Sequence, residues 1–210
     1  MTITLRPDTT VLFIGDSITD AGRGRDNPAA LGSGYAAMAA GWFAASNRSH
    51  NLRFYNRGIG GNRTCDLLDR WEADCMSLEP DVVSILVGVN DVLRRYDSDD
   101  ATSLEQFTSN YRTMLSSTAE RGAKVIVIEP FLVPVRPEIW AWRDDLDPKL
   151  VSIRRLATEF DATLVPADGL LAAASADSTP KAWADDGVHP TMAGHALLAQ
   201  AWLAATRPAA

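Results

Sequence analysis

Two short segments of the sequence carry the residue types that acyl transfer needs. In residues 15–20 (GDSITD), the hydroxyl of Ser17 becomes a nucleophile if a neighbouring base removes its proton. In residues 186–190 (DGVHP), Asp186 stands three positions before His189, so its carboxylate can hold one ring nitrogen protonated while the other accepts a proton from a serine. Each segment also has a purely structural interpretation, as a helix N-cap serine and as a turn that leads into a helix.

Two further segments could stabilise the negative charge that forms during acyl transfer. Residues 56–62 (NRGIGGN) predict a turn whose backbone N–H groups could face an anion, although such a turn can equally serve chain reversal alone. Residues 88–91 (GVND) offer Asn90, whose amide donates a hydrogen bond without adding charge. A dinucleotide site is an alternative for the turn, but Arg63 stands where the third glycine of GxGxxG would be, and no GxxxxGK[ST] motif is present.

Other polar residues near these segments have weaker claims to a catalytic role. His50 lies in a polar turn and His195 lies within the last predicted helix, and neither has an orienting carboxylate nearby in the sequence. Asp16 and Asp91 flank the candidate positions, where an acidic side chain is as well suited to accept backbone hydrogen bonds as to touch substrate. We therefore leave these four residues out of the candidate catalytic set.

The elements that must position these residues alternate along the chain. The predicted strands are residues 10–15, 52–56, 82–87, 124–129 and 162–165. The predicted helices are residues 34–46, 63–77, 103–121, 147–160 and 191–206, with Gly122 as a C-terminal cap and residues 131–145 as a long irregular connection. This alternation predicts an α/β fold with a parallel sheet covered by helices on both faces. Ligands bind such sheets beyond the carboxyl ends of the strands, which is where Ser17, the glycine turn and Asn90 are expected.

Composition limits the function further. A chain of 210 residues with 46% hydrophobic residues can bury the core of one domain, which we expect to span residues 1–210. Its formal charge of -7 argues against a nucleic-acid partner. No apolar segment is long enough for export or for a membrane, so we expect a cytoplasmic protein. Cys65 and Cys75 lack the CxxC spacing and paired histidines of a zinc or thioredoxin-like site, so we expect two reduced, packed thiols.

The motifs GDSIT, GIGGN, GVND and DGVHP, in this order and spacing, resemble the four signature blocks of the SGNH (GDSL-like) hydrolases over nearly the whole chain. The resemblance implies a flavodoxin-like three-layer α/β/α sandwich with a five-stranded parallel sheet, and a serine esterase that needs no cofactor or metal. It implies that Ser17 is the nucleophile, with His189 as base and Asp186 as acid. It also implies three oxyanion donors, namely the backbone N–H groups of Ser17 and Gly61 and the side chain of Asn90, with Gly60 as an alternative to Gly61.

Longer stretches are similar to the acetylxylan esterases of this superfamily, namely GDSITDAGRGR, LGSGY, Arg70-Trp71-Glu72, GVNDVLRRYD and VHPTMAGH. This similarity implies an acetylated sugar as substrate, with no nucleic acid or membrane partner, and a homo-oligomer. One position departs from it, because some of these esterases carry a tryptophan directly before the triad aspartate, whereas this chain has Asp185 there and Trp183 two residues earlier. A lipid-directed esterase and a non-catalytic binding module remain the alternative functions.

The tryptophans divide into two predicted groups. Those at 42, 71 and 202 fall on helical patterns and are expected in the core or in an interface. Those at 140, 142 and 183 are expected in loops, where a sugar ring could stack on them.

Overall fold

A computed structural model describes residues 2–209 and shows strands and helices alternating along the chain. The strands are β1 (Ile3–Leu5), β2 (Thr10–Gly15), β3 (Arg53–Gly58), β4 (Val82–Leu86), β5 (Lys124–Ile128), β6 (Thr163–Val165) and β7 (Thr206–Pro208). The α-helices are α1 (Ser17–Asp20), α2 (Tyr35–Ser46), α3 (Thr64–Asp69), α4 (Trp71–Asp74), α5 (Val89–Asp97), α6 (Leu104–Glu120), α7 (Pro137–Glu159), α8 (Ala167–Ala176) and α9 (Met192–Ala204). Short 3₁₀ helices cover Met76–Leu78 and Pro180–Ala182.

The main sheet has the order β3-β2-β4-β5-β6, and each neighbouring pair in it is parallel. Within the described residues this confirms the predicted α/β fold with a five-stranded parallel sheet, in the strand order of flavodoxin-like proteins. A second small parallel sheet, in which β1 pairs with β7, was not predicted from the sequence. Its strands are three residues long, which is too short to produce a recognisable alternation of apolar residues.

Helices cover both faces of the main sheet, so the strands are buried on both sides. Val11 and Phe13 of β2 point into one hydrophobic cluster, whereas Leu12 and Ile14 point into the other. This division follows from the two-residue period of a strand. Trp202 of α9 is fully buried on the first face, where its ring centroid lies 5.2 Å from that of Phe13.

The largest difference between the structure and the sequence prediction is helix α7. Residues 131–145 were expected to be an irregular connection, with a helix at residues 147–160. The helix instead begins at Pro137 and continues through Pro148. An internal proline costs about 3 kcal/mol because it removes a backbone hydrogen bond. Burial of Ile139 and Leu146 before the proline, and of Leu150 after it, offsets that cost.

Helix boundaries elsewhere also differ from the prediction. The predicted helix 63–77 is divided into α3, α4 and the 3₁₀ helix Met76–Leu78, because Arg70 leaves helical geometry with φ -112° and ψ 8°. Helices α5 and α8 were missed. In α5 the buried residues are confined to its first turn, so no helical repeat of apolar residues develops along it.

Two tryptophans lie in places that the sequence did not indicate. Trp140 and Trp142 belong to α7 rather than to a loop, and Trp140 is 64% exposed. Trp42, expected in the core or an interface, lies on α2 as predicted and is 68% exposed, so it is not a core residue. No helix among residues 2–209 has the length and apolar content needed to cross a lipid bilayer.

Candidate active site

The candidate residues meet at the carboxyl edge of the main sheet, between β2 and β4. Because β3 lies on one side of β2 and β4 lies on the other, the connections after these strands diverge and leave a crevice. Ser17 follows β2, Gly61 follows β3 and Asn90 follows β4. His189 enters the same crevice from the segment before α9, so the structure brings all four predicted segments together.

Ser17, His189 and Asp186 form a continuous chain of polar contacts. The Oγ of Ser17 lies 2.9 Å from Nε2 of His189, although the two residues are 172 positions apart. The Nδ1 of the same imidazole lies 2.7 Å from Oδ2 of Asp186. Since an ionised carboxylate can only accept, Nδ1–H donates to Asp186, and Nε2 is left to accept a proton from the serine hydroxyl.

The loop that carries Asp186 and His189 is held by its own backbone and by the segment before α7. Oδ1 of Asp186 accepts hydrogen bonds from the backbone N–H groups of Val188, at 2.8 Å, and His189, at 2.7 Å. Gly187 has φ +89°, and a Cβ there would lie 2.6 Å from the carbonyl oxygen of Val133. The Val133 N–H donates to the Gly187 carbonyl at 2.8 Å, so the loop requires glycine at this point.

These contacts also set the charge of Asp186. Partial burial raises its pKa, but the hydrogen bonds from the side chain and backbone of His189 and from the Val188 N–H outweigh that effect and lower the pKa overall. The carboxylate therefore stays ionised in the neutral range, where it can stabilise a protonated imidazole.

Ser17 is the first residue of α1, and Asp16 caps that helix. Oδ1 of Asp16 accepts from the backbone N–H of Ile18 at 2.9 Å, which fixes the turn on which the serine stands. The other carboxylate oxygen, Oδ2, is buried and has no hydrogen-bond partner within residues 2–209. Burial raises the pKa of Asp16 to about 7, against smaller lowering effects of the Ile18 N–H and of His189.

The glycine turn and Asn90 are joined directly. Gly61 has φ +84°, a conformation that favours glycine, and a Cβ at Gly60 would lie 3.7 Å from the Cβ of Ser17. The side-chain amide of Asn90 donates to the backbone carbonyl of Asn62 at 3.0 Å. One amide proton thereby orients the group, and the second can serve another acceptor in the crevice.

Asp91, the residue after Asn90, connects helix α5 to α3 by hydrogen bonds. Oδ1 of Asp91 accepts from the Thr64 hydroxyl at 2.7 Å, and Oδ2 accepts from the Thr64 N–H at 3.0 Å. Burial raises the pKa of Asp91 to about 6 despite these hydrogen bonds. Asp91 and Asp16 therefore both accept hydrogen bonds from backbone N–H groups, which is one of the two roles that the sequence left open.

Arg70 ties the turn after β3 to the end of β2, a role that the sequence did not reveal. Its guanidinium donates to the carbonyl of Gly15 at 3.1 Å, to the carbonyl of Arg57 at 2.8 Å and to Oδ1 of Asn62 at 2.8 Å. Asp74 pairs with the same guanidinium at 2.8 Å. The sequence pointed to Arg70 only through the stretch Arg70-Trp71-Glu72, which resembles the acetylxylan esterases. Its hydrogen bonds could not be predicted, because the acceptors lie up to 55 positions away in the chain.

The other histidines are engaged away from Ser17. Nδ1 of His195 accepts from the Tyr35 N–H at 3.2 Å, and burial lowers the pKa of His195 to about 4. Nε2 of His50 lies 3.2 Å from the carbonyl of Ala209, to which it can donate. Within residues 2–209, no cluster of three or more His, Cys, Asp or Glu side chains has an arrangement that could hold a metal ion.

Comparisons with known proteins agree with this geometry. Residues 13–197 match the model of the GDSL-like lipase/acylhydrolase family. The chain is 34% identical to the acetylxylan esterase of Geobacillus stearothermophilus over 201 residues, which cover 92% of this chain and 91% of that protein. A crystal structure of that species' acetylxylan esterase superposes with a TM-score of 0.90 at 33% identity, covering 97% of this chain and 96% of that one. An α/β hydrolase from the metagenome of Lake Arreo, Spain, gives a TM-score of 0.90 at 32% identity, covering 95% of each chain.

Replacing Arg70 by lysine tests whether the guanidinium positions the glycine turn. An ammonium cannot reach three acceptors in the planar arrangement that guanidinium satisfies, so we expect kcat for ester hydrolysis to fall roughly 10- to 100-fold with a smaller change in KM. The matched control is Arg53→Lys, since Arg53 bonds only Thr10 Oγ1, at the opposite end of β3. An unchanged kcat in a folded Arg70→Lys protein would contradict this role.

Replacing Asp16 by asparagine tests the cost of its buried carboxylate. The pKa of Asp16 is about 7 in the folded protein, whereas the reference value is 3.8. The folded state therefore favours the protonated carboxyl, and this contribution to the free energy of unfolding is complete below about pH 4 and is lost as the pH rises through 7. We expect wild-type unfolding free energy to decline relative to Asp16→Asn over that range, by on the order of 4 kcal/mol. Urea titrations at each pH measure this difference.

The control for this titration is Asp26→Asn, which removes one negative charge from an exposed position. It should follow the wild-type pH dependence. If Asp16→Asn does so as well, the carboxyl of Asp16 does not titrate in this range.

Proposed function

Since this chain belongs to the GDSL-like lipase/acylhydrolase family and is a carboxylic-ester hydrolase, we propose that it removes acetyl groups from xylan-derived oligosaccharides or similar acetylated sugars. The observation that carries the proposal is the 2.9 Å contact between Ser17 Oγ and His189 Nε2, with Asp186 on the far side of the imidazole. A nucleophile, a base and an orienting acid in this order are what acyl transfer requires.

In the proposed acylation step, Nε2 of His189 takes the Ser17 proton while Oγ forms a bond to the acetyl carbonyl carbon. The tetrahedral species then collapses, the bond from the acetyl carbon to the sugar oxygen breaks, and the imidazolium returns its proton to that oxygen. The products of this step are an acetyl-enzyme at Ser17 and a free sugar hydroxyl. Asp186 stabilises the imidazolium, which its lowered pKa supports.

The negative oxygen of the tetrahedral species is assigned to three donors. These are the backbone N–H of Ser17 at the start of α1, the backbone N–H of Gly61 and the free amide proton of Asn90. The hydrogen bond from Asn90 to the Asn62 carbonyl supports this assignment, because it links the side-chain donor to the turn that carries Gly61. Gly60 is the alternative to Gly61 within the same turn.

Deacylation repeats the same chemistry with water. His189 removes a proton from water, the hydroxide oxygen attacks the acetyl carbon, and the bond to Ser17 Oγ breaks as the serine regains a proton from the imidazolium. Acetic acid leaves, gives its proton to solvent to become acetate, and the starting state is restored. His189 carries the proton in both the acylation and the deacylation step.

The choice of an acetylated sugar rests on similarity to an acetylxylan esterase at 34% identity. One wall of the pocket differs from the expected pattern, since an exposed Asp185 directly precedes Asp186. The proposal extends to a cytoplasmic homo-oligomer, which stays a prediction from the sequence. The exposed Trp42 and Trp140 support the oligomer, because tryptophan is enriched at protein interfaces.

Replacing Ser17 by alanine should abolish esterase activity and labelling by a serine-directed phosphonate, because the variant lacks the hydroxyl that contacts His189 Nε2. The matched control is Ser33→Ala, whose hydroxyl donates to the Ala21 carbonyl. Mass spectrometry should locate the adduct on Ser17 in the control and in the wild type. A wild-type protein without an adduct would indicate a non-catalytic binding module.

The wild-type substrate profile tests the proposed substrate class. We expect turnover of acetylated xylooligosaccharides and p-nitrophenyl acetate to exceed that of long-chain esters, with the highest kcat/KM on the sugar. Dominance of long acyl chains would replace the sugar proposal by a lipid-directed esterase.

Replacing Asn90 by alanine should lower kcat by about 100-fold or more while KM changes little, because the donor acts on charge that develops only in the transition state. Steady-state kinetics and a thermal melt separate this effect from unfolding. A folded variant with wild-type kcat would remove Asn90 from the set of donors.

A further inference from the structure

A cleft of about 420 Å³ opens beside the imidazole of His189. Asp186, Val188 and His189 line one side of it, and the other walls come from helix α5 and from the start of α7. Ser17 and Asn90 do not line this cleft, which adjoins the proposed reacting groups through His189, whose Nε2 contacts Ser17 Oγ. Its space is large enough for a group attached to the reacting ester.

Helix α5 connects the cleft to the proposed oxyanion donors. Asn90, Leu93 and Asp97 are spaced by three and four positions, so they lie along one face of this helix. Asn90 stands at the reacting centre, and the helix rise of 1.5 Å per residue puts Tyr96 roughly 9 Å further along the axis. A sugar ring attached to the ester oxygen could span that distance.

The position of His189 decides which part of the ester lies in the cleft. In acyl transfer the imidazole must be within hydrogen-bonding reach of the leaving oxygen, because it returns the proton to that atom. A cleft lined by the imidazole itself is therefore on the side of the alcohol. The acetyl methyl group, which needs little space, does not require it.

The walls of the cleft combine stacked rings with charged groups. Tyr96 and Trp142 stack with centroids 5.5 Å apart at an angle of 27°, and the guanidinium of Arg136 lies 5.3 Å from the Trp142 ring centroid. Tyr96 stays 42% exposed, so the aromatic pair remains accessible from the cleft. Asp97 and Arg136 supply a hydrogen-bond acceptor and donors at the rim.

This combination matches a pyranose ring better than a hydrocarbon chain. A pyranose presents C–H groups on its faces, which pack on aromatic rings, and hydroxyls around its edge, which can both donate and accept hydrogen bonds. A hydrocarbon chain in the same place would remove water from Asp97 and Arg136, which pair with Arg94 and Glu138 at the rim, without adding a hydrogen bond to either charged group.

We infer that the cleft between α5 and α7 is the leaving-group subsite, which holds the pyranose ring next to the acetylated hydroxyl, with Tyr96 and Trp142 as the residues that determine specificity. This inference rests on the proposed function and adds where the sugar binds and which side chains select it. The side chain of Trp142 reaches substrate here, whereas the exposed Trp140 of the same helix does not line the cleft.

The experiment compares Trp142→Ala and Tyr96→Ala with the wild type on acetylated xylotriose, methyl acetate and octyl acetate. Acetylated xylotriose fills the cleft, whereas the methanol released from methyl acetate is too small to reach it. We expect kcat/KM on acetylated xylotriose to fall roughly tenfold in each variant, as lost ring packing predicts, and kcat/KM on methyl acetate to stay within about twofold. Trp142→Phe, which keeps a ring, should restore most of the loss. The matched control Trp140→Ala should leave both substrates unchanged.

Each other outcome overturns the inference and shows which assumption is wrong. Equal losses on both esters indicate a structural role for the aromatic pair, and a thermal melt identifies that case. Unchanged turnover of acetylated xylotriose shows that the sugar lies elsewhere, while the proposed function survives. A larger loss on octyl acetate than on the sugar assigns the cleft to an apolar alcohol. A wild type that prefers methyl acetate to the sugar removes the proposed function together with this subsite.

Discussion

The divergence of the chain at the carboxyl ends of β2 and β4 is the constraint on which the rest of the site depends. The connections after these two strands leave in opposite directions, so polar groups can converge in the crevice between them without breaking the apolar layers on either face. Ser17 is the first residue of the short helix α1, and Asn90 is the second residue of α5. Ser17 and Asn90 therefore follow rigid strand ends, and only the loop with Asp186 and His189 has to be brought in from a distant part of the sequence.

That loop and the glycine turn are both fixed by polar contacts that lie outside the reacting groups. Asp186 accepts two backbone N–H groups of its own loop, and Arg70 spans the ends of β2 and β3. Buried polar groups are costly unless they are satisfied, so such contacts favour one loop conformation strongly over its neighbours. Asp16 is the exception, because one of its carboxylate oxygens stays buried beside the nucleophile with a raised pKa. The stability of the protein is thereby coupled to pH at the position next to Ser17.

The fold and the reacting groups determine the type of reaction but leave its substrate open. A serine, a histidine and an aspartate in this arrangement can serve many esters, so the alcohol that is accepted depends on the walls around the imidazole. In this protein the nearest wall consists of an aromatic pair with charged neighbours, and it is built on α5 and α7. The same helix α5 carries Asn90, so the proposed leaving-group subsite and the proposed oxyanion donor share one helix.

The sequence alone determined the features that are encoded locally. The alternation of apolar strands with helical segments predicted the parallel sheet, because each element has its own short period, and the spacing of Asp186 and His189 predicted their contact within one turn. The resemblance to SGNH hydrolases indicated the same family that the comparisons show. Only the tertiary structure decided the approach of Ser17 to His189, the three acceptors of Arg70, the continuation of α7 through Pro148 and the place of Trp142 in the cleft. These features depend on packing between segments that are far apart in the chain. Such packing can outweigh a local signal such as an internal proline, and it produces no periodic pattern in the sequence.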